Sequence, residues 1–266
     1  MNTGVIFGAI ALASLLPAAA LRFRARDDRD GAYWAGLVLA IAGPATWVVG
    51  RLSGGWHTGF ATSLALTIAV TTALFAGLAA MTRQGWRLTP LLMPYLAGLG
   101  ILALIWQRAP ERAVDWTVPA AWFEAHVVLA LVTYGLLTLA AVAGTAVFLQ
   151  ERALKAKRPT PLTRRLPAVA ESENLQIALL AASEIVLALG LASGMAAEYF
   201  ERGRLLVFDH KTALSMAEFL AIGLLLIAHR FTGVRGRQAA RGVLAAYLLL
   251  TLAYPGVKFV TDVLIG

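Results

Sequence analysis

The chain carries four histidines and no cysteine, which narrows its chemistry before any fold is considered. Thiolate metal centres and disulfide frameworks are excluded by inventory, so a metal or haem must be held by His, Met or carboxylate. His126 and His210 each stand at the start of a long apolar run. His229 closes the run that His210 opens, and His57 lies in a short stretch between Gly55-Trp56 and Thr58. Two carboxylates, Glu184 and Glu218, sit inside apolar runs rather than at their edges. A neutral imidazole offers one nitrogen lone pair to a metal, and a carboxyl among apolar residues is a proton-binding group. What either can do depends on where the runs place them.

Those runs dominate the composition. Of 266 residues, 59% are hydrophobic and 14% charged, with a mean hydropathy of +0.72, whereas soluble domains carry about 25% charged residues. Each run is about 20 residues long, the length a helix needs to cross roughly 30 Å of hydrocarbon. The expected fold is an all-α polytopic membrane protein, one transmembrane domain over residues 1–266. About eight spans are expected: Thr3–Leu21, Tyr33–Gly50, Phe60–Met81, Leu91–Trp106, Phe123–Gln150, Leu175–Phe200, His210–His229 and Ala239–Val260. Four of them and an outer loop fill residues 1–122, and four more fill 123–266. A cleaved signal peptide would have basic residues before its apolar stretch. Here Arg22, Arg24 and Arg26 follow it, so the first span is expected to be retained. The net charge of +8 comes from residues at the ends of the runs, which points to membrane topology and away from nucleic acid.

Charge asymmetry orients the spans. Of the 23 Lys and Arg residues, all but Arg51, Arg108, Arg112, Arg202, Arg204, Lys211 and Lys258 fall in or beside the odd-numbered connectors. The positive-inside rule places those connectors in the cytoplasm and both termini outside it. The basic connector Glu151–Asn174 is then cytoplasmic. His126 and His210 open helices running from outside to inside, so both imidazoles lie at similar depth near the outer face. Two imidazoles on facing helices can supply both axial ligands of a haem iron. Haem propionates would need outward-facing cations. Arg51, Lys211 and Lys258 are candidates, and Arg202 and Arg204, in the short loop before His210, are favoured because Arg binds a carboxylate in bidentate geometry. His229, beside Arg230, falls where a helix C-terminal dipole favours a cation, and a structural role is expected. His57 sits in an outer loop poorly suited to fixing a ligand. The stretch Ala113–Trp122 precedes His126 and is expected to be interfacial, anchoring the chain or roofing a flat ligand.

Glu184 lies nine residues past Leu175, and Glu218 eight residues past His210. At 1.5 Å per residue both come roughly 12–14 Å in from opposite faces, near the middle of the bilayer. No Lys or Arg lies at that depth. Carboxyls so placed usually face a bundle interior or a wet cavity. Two roles stay open: neutral carboxyls bonded to neighbouring Ser or carbonyl groups, or an intramembrane polar path.

The stretch AHVVLALVTYGLLTLAAVAGTAVFLQERALK, from Ala125 to Lys155, resembles the His-initiated central helix of the cytochrome c assembly transmembrane proteins. The block DHKTALSMAEFLAIGLLLIAHRFTGVRGRQA, from Asp209 to Ala239, and LAYPGVKFV, from Leu252 to Val260, are similar to the HemX- and YpjD-like branch of that family. The likeness covers mainly residues 123–262. It implies a haem-handling role for His126 and His210. Haem-delivering members carry a tryptophan-rich outer segment with a WxWD core, where this chain has DWTVPAAW. The resemblance therefore implies haem binding without implying direct delivery to apocytochrome c.

Together these readings predict a multi-pass inner-membrane protein of the cytochrome c biogenesis type. It is expected to bind haem b non-covalently through His126 and His210, to act as a haem handler or accessory without chemical turnover, and to partner other cytochrome c assembly proteins. The alternatives are a proton-coupled small-solute transporter built on Glu184 and Glu218, and a haem-b electron-transfer subunit. Against the transporter stands the lack of a clear internal repeat. Against the electron-transfer subunit stands the presence of one depth-matched histidine pair where two are usual.

Overall fold

A computed structural model describes residues 3–20, 29–52, 57–107, 109, 112–113, 119–204 and 210–260. The elements are helical throughout apart from one two-residue strand pair. In chain order they are α1 (Thr3–Ala13), α2 (Leu16–Ala20), α3 (Gly31–Leu52), α4 (Phe60–Met81), α5 (Thr89–Ile105), α6 (Ala120–Lys155), α7 (Val169–Arg202), α8 (His210–Thr232) and α9 (Gly236–Thr251). A π-type turn over Leu252–Gly256 carries α9 on into the short α10 (Val257–Phe259). Among the described residues six helices are long and apolar enough to cross a membrane: α3, α4, α5 with its preceding turn, α6, α7 and α8. The chain is a polytopic helical membrane protein.

The runs expected as the first and last spans form broken helices, and proline marks both breaks. Pro17 has no N–H to give the carbonyl of Ala13, where α1 ends before α2 resumes at Leu16. Pro255 lies in the π-type turn between α9 and α10, where the wider spacing accommodates a residue unable to donate to the preceding turn. In the middle of the chain the helices outrun the apolar runs. Thirty-six residues of α6 extend about 54 Å, beyond the hydrocarbon and into the polar segment Glu151–Lys155. The helix continues there because its hydrogen bonds are internal whatever the solvent, and Arg152 and Lys155 sit in the last turn, where the dipole favours cations. With α7 starting at Val169, the basic connector expected over Glu151–Asn174 contracts to residues 156–168. Gln150 pins it, donating from Nε2 to the carbonyls of Thr163 at 2.8 Å and Pro167 at 3.0 Å.

Connectors that threading puts on one side also meet there. His57–Thr58 pairs antiparallel with Arg112–Ala113. At the other side Arg29 Nη1 donates to the carbonyls of Ala79, at 2.8 Å, and Thr82, at 3.1 Å, capping the end of α4.

α6 is the axis of the bundle, packed against α7, α9 and α4. In its apolar window 67% of residues are buried within the protein, against 11% for α8, so α8 is much the less enclosed of the two. Helices in lipid gain little from apolar burial, and close packing of small residues matters more. A Cβ on Gly144 of α6 would stand 3.2 Å from Gln176 Oε1 of α7 and 3.6 Å from the Ala240 Cα of α9, so three helices meet there. In the same core, Tyr95 of α5, Tyr134 of α6 and Tyr247 of α9 join their hydroxyls. Tyr95 bonds Tyr247, Tyr247 lies 3.3 Å from Tyr134, and Thr138 Oγ1, which donates to the Tyr134 carbonyl at 2.7 Å, lies 3.3 Å from the Tyr247 hydroxyl. The rings of Tyr134 and Tyr247 meet edge to face at 5.8 Å.

Candidate functional site

The N-terminal turns of α6 carry Trp122 and His126 four residues apart, on one face of the helix. That face packs on a stretch of α7 without bulk: Gly190, Ser193 and Gly194. A Cβ at Gly194 would lie 3.2 Å from the imidazole Cε1 of His126, and one at Gly190 would lie 3.9 Å from the Leu129 Cβ. Ser193 receives both α6 side chains. The Trp122 indole donates from Nε1 to the Ser193 carbonyl at 3.1 Å, and His126 Nδ1 lies 2.8 Å from Ser193 Oγ.

The direction of the second bond follows from counting protons. A serine hydroxyl has one, and Ser193 donates it to the Gly190 carbonyl at 2.8 Å. Donated there, it leaves Oγ to accept from His126 Nδ1–H, the tautomer in which Nε2 keeps its lone pair. This is the arrangement metal-binding histidines use, one nitrogen fixed by a hydrogen bond and the other free to ligate. His126 therefore fits the role of an axial haem ligand, and its ring is half-buried and oriented.

The other expected members of the site are placed less completely. His210 is the first residue of α8 and Arg202 the last of α7, but both side chains lie outside the described residues, as do those of His57, Lys211 and Lys258. Residues 114–118 of the segment Ala113–Trp122 lie outside them too. Arg204 is exposed just beyond the end of α7. That end is set by Gly203, whose φ of 67° belongs to the left-handed region and whose N–H caps the Tyr199 carbonyl at 2.9 Å. α7 packs against both α6 and α8, so it stands beside each helix that carries a candidate ligand. His229 is engaged elsewhere: its Nδ1 donates to the Val234 carbonyl at 2.9 Å in the turn between α8 and α9.

Glu184 and Glu218 lie farther along α7 and α8. Glu218 is fully buried, and neither of its oxygens has a hydrogen-bond partner among the described residues. Glu184 is half-buried, with Oε2 likewise unpartnered and Oε1 3.1 Å from where a Cβ on Gly223 of α8 would stand. The structure thus brings both carboxyls to the neighbourhood of α8. Sequence reasoning missed Ser193. The visible signal was the Gly190-x-x-x-Gly194 spacing, which lets two helices approach closely.

Comparison with known proteins agrees with the resemblance seen in the sequence. The chain is 54% identical over 271 residues, covering all of both chains, to a 28.8 kDa protein encoded in the nifR3-like 5′ region of Azospirillum brasilense. It is 25% identical over 166 residues to the protein HemX of Brevibacillus brevis, covering 62% of this chain and 61% of that one. No solved structure matches it significantly. The family described as Cytochrome C assembly protein matches residues 34–265, and this chain belongs to that family.

Proposed function

We propose that the protein handles haem for cytochrome c biogenesis, holding haem b near the outer face of the inner membrane with His126 and His210 as axial ligands. Family membership supports a role in cytochrome c biogenesis. The observation that carries the haem reading is the state of His126, with Nδ1 engaged by Ser193 and Nε2 available. In the proposed arrangement Ser193 and Trp122 orient the α6 face, and Arg202 and Arg204 neutralise the propionates. Haem would supply an iron needing two nitrogen ligands and a flat apolar body needing cover from water. The role is binding and hand-over to other cytochrome c assembly proteins, without covalent chemistry by this chain. The proposed topology is eight crossings with both termini outside the cytoplasm.

The visible spectrum of protein purified after expression with ample haem tests the site. A low-spin Soret band is expected. H126A and H210A should each convert it to a five-coordinate form or abolish haem retention, whereas H57A and H229A should leave it unchanged. Equal loss from all four would reject the assignment. Replacing Arg202 and Arg204 by Gln should lower haem content without changing the spectrum of what remains. Reporter fusions at Gly31, Lys155 and Gly236 should read as cytoplasmic, and those at Gly54 and Val114 as exported. An exported signal at Lys155 would invert the orientation.

A further inference from the structure

The haem reading leaves two buried acids unused. Glu218 is wholly enclosed and Glu184 lies across the α7–α8 seam, with three of their four oxygens buried and without a hydrogen-bond donor among the described residues. Unsatisfied buried oxygens are rare because each forfeits its hydration, so such atoms call for an occupant. Glu184 Oε1 reaches α8 at Gly223, five residues along that helix from Glu218, and two charges of one sign in an apolar seam repel strongly.

The neighbouring elements supply no compensating cation among the described side chains. On α6, His126 is bound to Ser193 and Tyr134 to the other tyrosines. On α7, Glu173 accepts from the Gly236 N–H. Glu198 and Glu201 lie 14 and 17 residues beyond Glu184, toward the outer end, and both have partners. On α9, Arg237 stacks its guanidinium 4.8 Å from the Phe148 ring centre, and the Tyr247 hydroxyl is engaged by Tyr95. Arg241 stands one turn beyond Arg237 and is exposed. The side chains of Tyr254 and Lys258 lie outside the described residues. At the contact itself α8 presents Gly223, and the absence of a side chain there leaves room for the Glu184 carboxyl.

We propose that Glu184 and Glu218 form a proton-binding site in the middle of the membrane, two interacting carboxyls that exchange protons with water and ionise in succession. The proton is the occupant that needs no cavity, and by removing the charge it removes the largest part of the cost of burying a carboxyl that has no donor. The site lies on other residues than the haem ligands and stands whether or not haem binds.

A hydrophobic carbodiimide is the probe, because it modifies carboxyls that are protonated and surrounded by hydrocarbon. Intact protein in lipid vesicles is labelled between about pH 5 and about pH 9 and the modified peptides are measured by mass spectrometry. Labelling is expected at Glu184 and Glu218 at the acid end, falling by about tenfold or more toward the alkaline end. In E184Q the pH of half-labelling at Glu218 should move down, because the neighbour that disfavoured a charge is gone. Absence of labelling at every pH would overturn the proposal. So would a half-labelling pH that E184Q does not move, since the carboxyls would then be independent. Suppression by sodium at fixed pH would overturn it in favour of an alkali-cation site. Where a variant fails to accumulate, the infrared carboxyl band of the wild type decides: it must weaken as pH rises, and its absence at acid pH would overturn the proposal.

Discussion

Two polar regions lie within the apolar body of this protein, and they are built in opposite ways. Tyr95, Tyr134 and Tyr247 satisfy one another, with Thr138 as a fourth member, and the fully buried Tyr134 ring fills the junction of α6 with its neighbours. Glu184 and Glu218 also sit inside the bundle, yet their buried oxygens find no donor among the described residues, and a glycine faces one of them. Hydrocarbon gives neither region water as an alternative partner. The tyrosines answer that constraint by closing a network, which makes them a clamp between α5, α6 and α9. The carboxyls leave it open. A polar group that completes its bonds within the fold holds the fold together, while one that does not is available to something that arrives from outside.

The sharpest way to break the contrast is to empty the clamp. Y134A removes a buried aromatic ring and part of the hydroxyl network, and should lower stability by about 3–5 kcal/mol, read as thermal unfolding in detergent or as loss of accumulation in the membrane. Next, G223V places a side chain where Glu184 Oε1 now stands 3.1 Å from an ideal Cβ. Overpacking of this kind costs about 1–3 kcal/mol, and pairing it with E184A should recover part of the loss in a double-mutant cycle. Y134F keeps the ring and deletes one hydroxyl, for an expected cost of about 1 kcal/mol. The smallest effect is expected from E218Q, which keeps size and neutral hydrogen-bonding capacity and breaks no bond to a described residue. It should change stability by less than about 0.5 kcal/mol. Were E218Q to cost more than Y134F, the carboxyl would be a structural group and the distinction between the regions would fail.

Much of the architecture was legible along the chain because a helix satisfies its own backbone. Each apolar run could be read as a helix from about 20 consecutive residues, and Pro17 and Pro255 mark where the first and last runs break. Lengths were less legible. Hydropathy reports where hydrocarbon ends, whereas α6 and α7 continue through polar residues such as Glu151, Arg152 and Glu171 that keep internal hydrogen bonds in water. For the candidate site, His126 was recognisable as a residue opening a long helix. Its tautomer was not, because that depends on Ser193, 67 positions away.

The local alphabet thus determined that this is a helical membrane protein, which residues are chemically able to ligate or bind protons, and roughly how far along its helix each one lies. Those properties follow from composition and from a rise of 1.5 Å per residue. Tertiary structure alone decided which faces meet. It set Trp122 and His126 on the glycine-lined stretch of α7, joined three tyrosines spread over 152 positions, and left Glu184 and Glu218 without donors among the described residues. The physical reason is that rotating a lipid-embedded helix changes no backbone hydrogen bond and little apolar burial. Its orientation is selected by small packing differences and a few polar contacts with distant helices, and these are not encoded in any one segment.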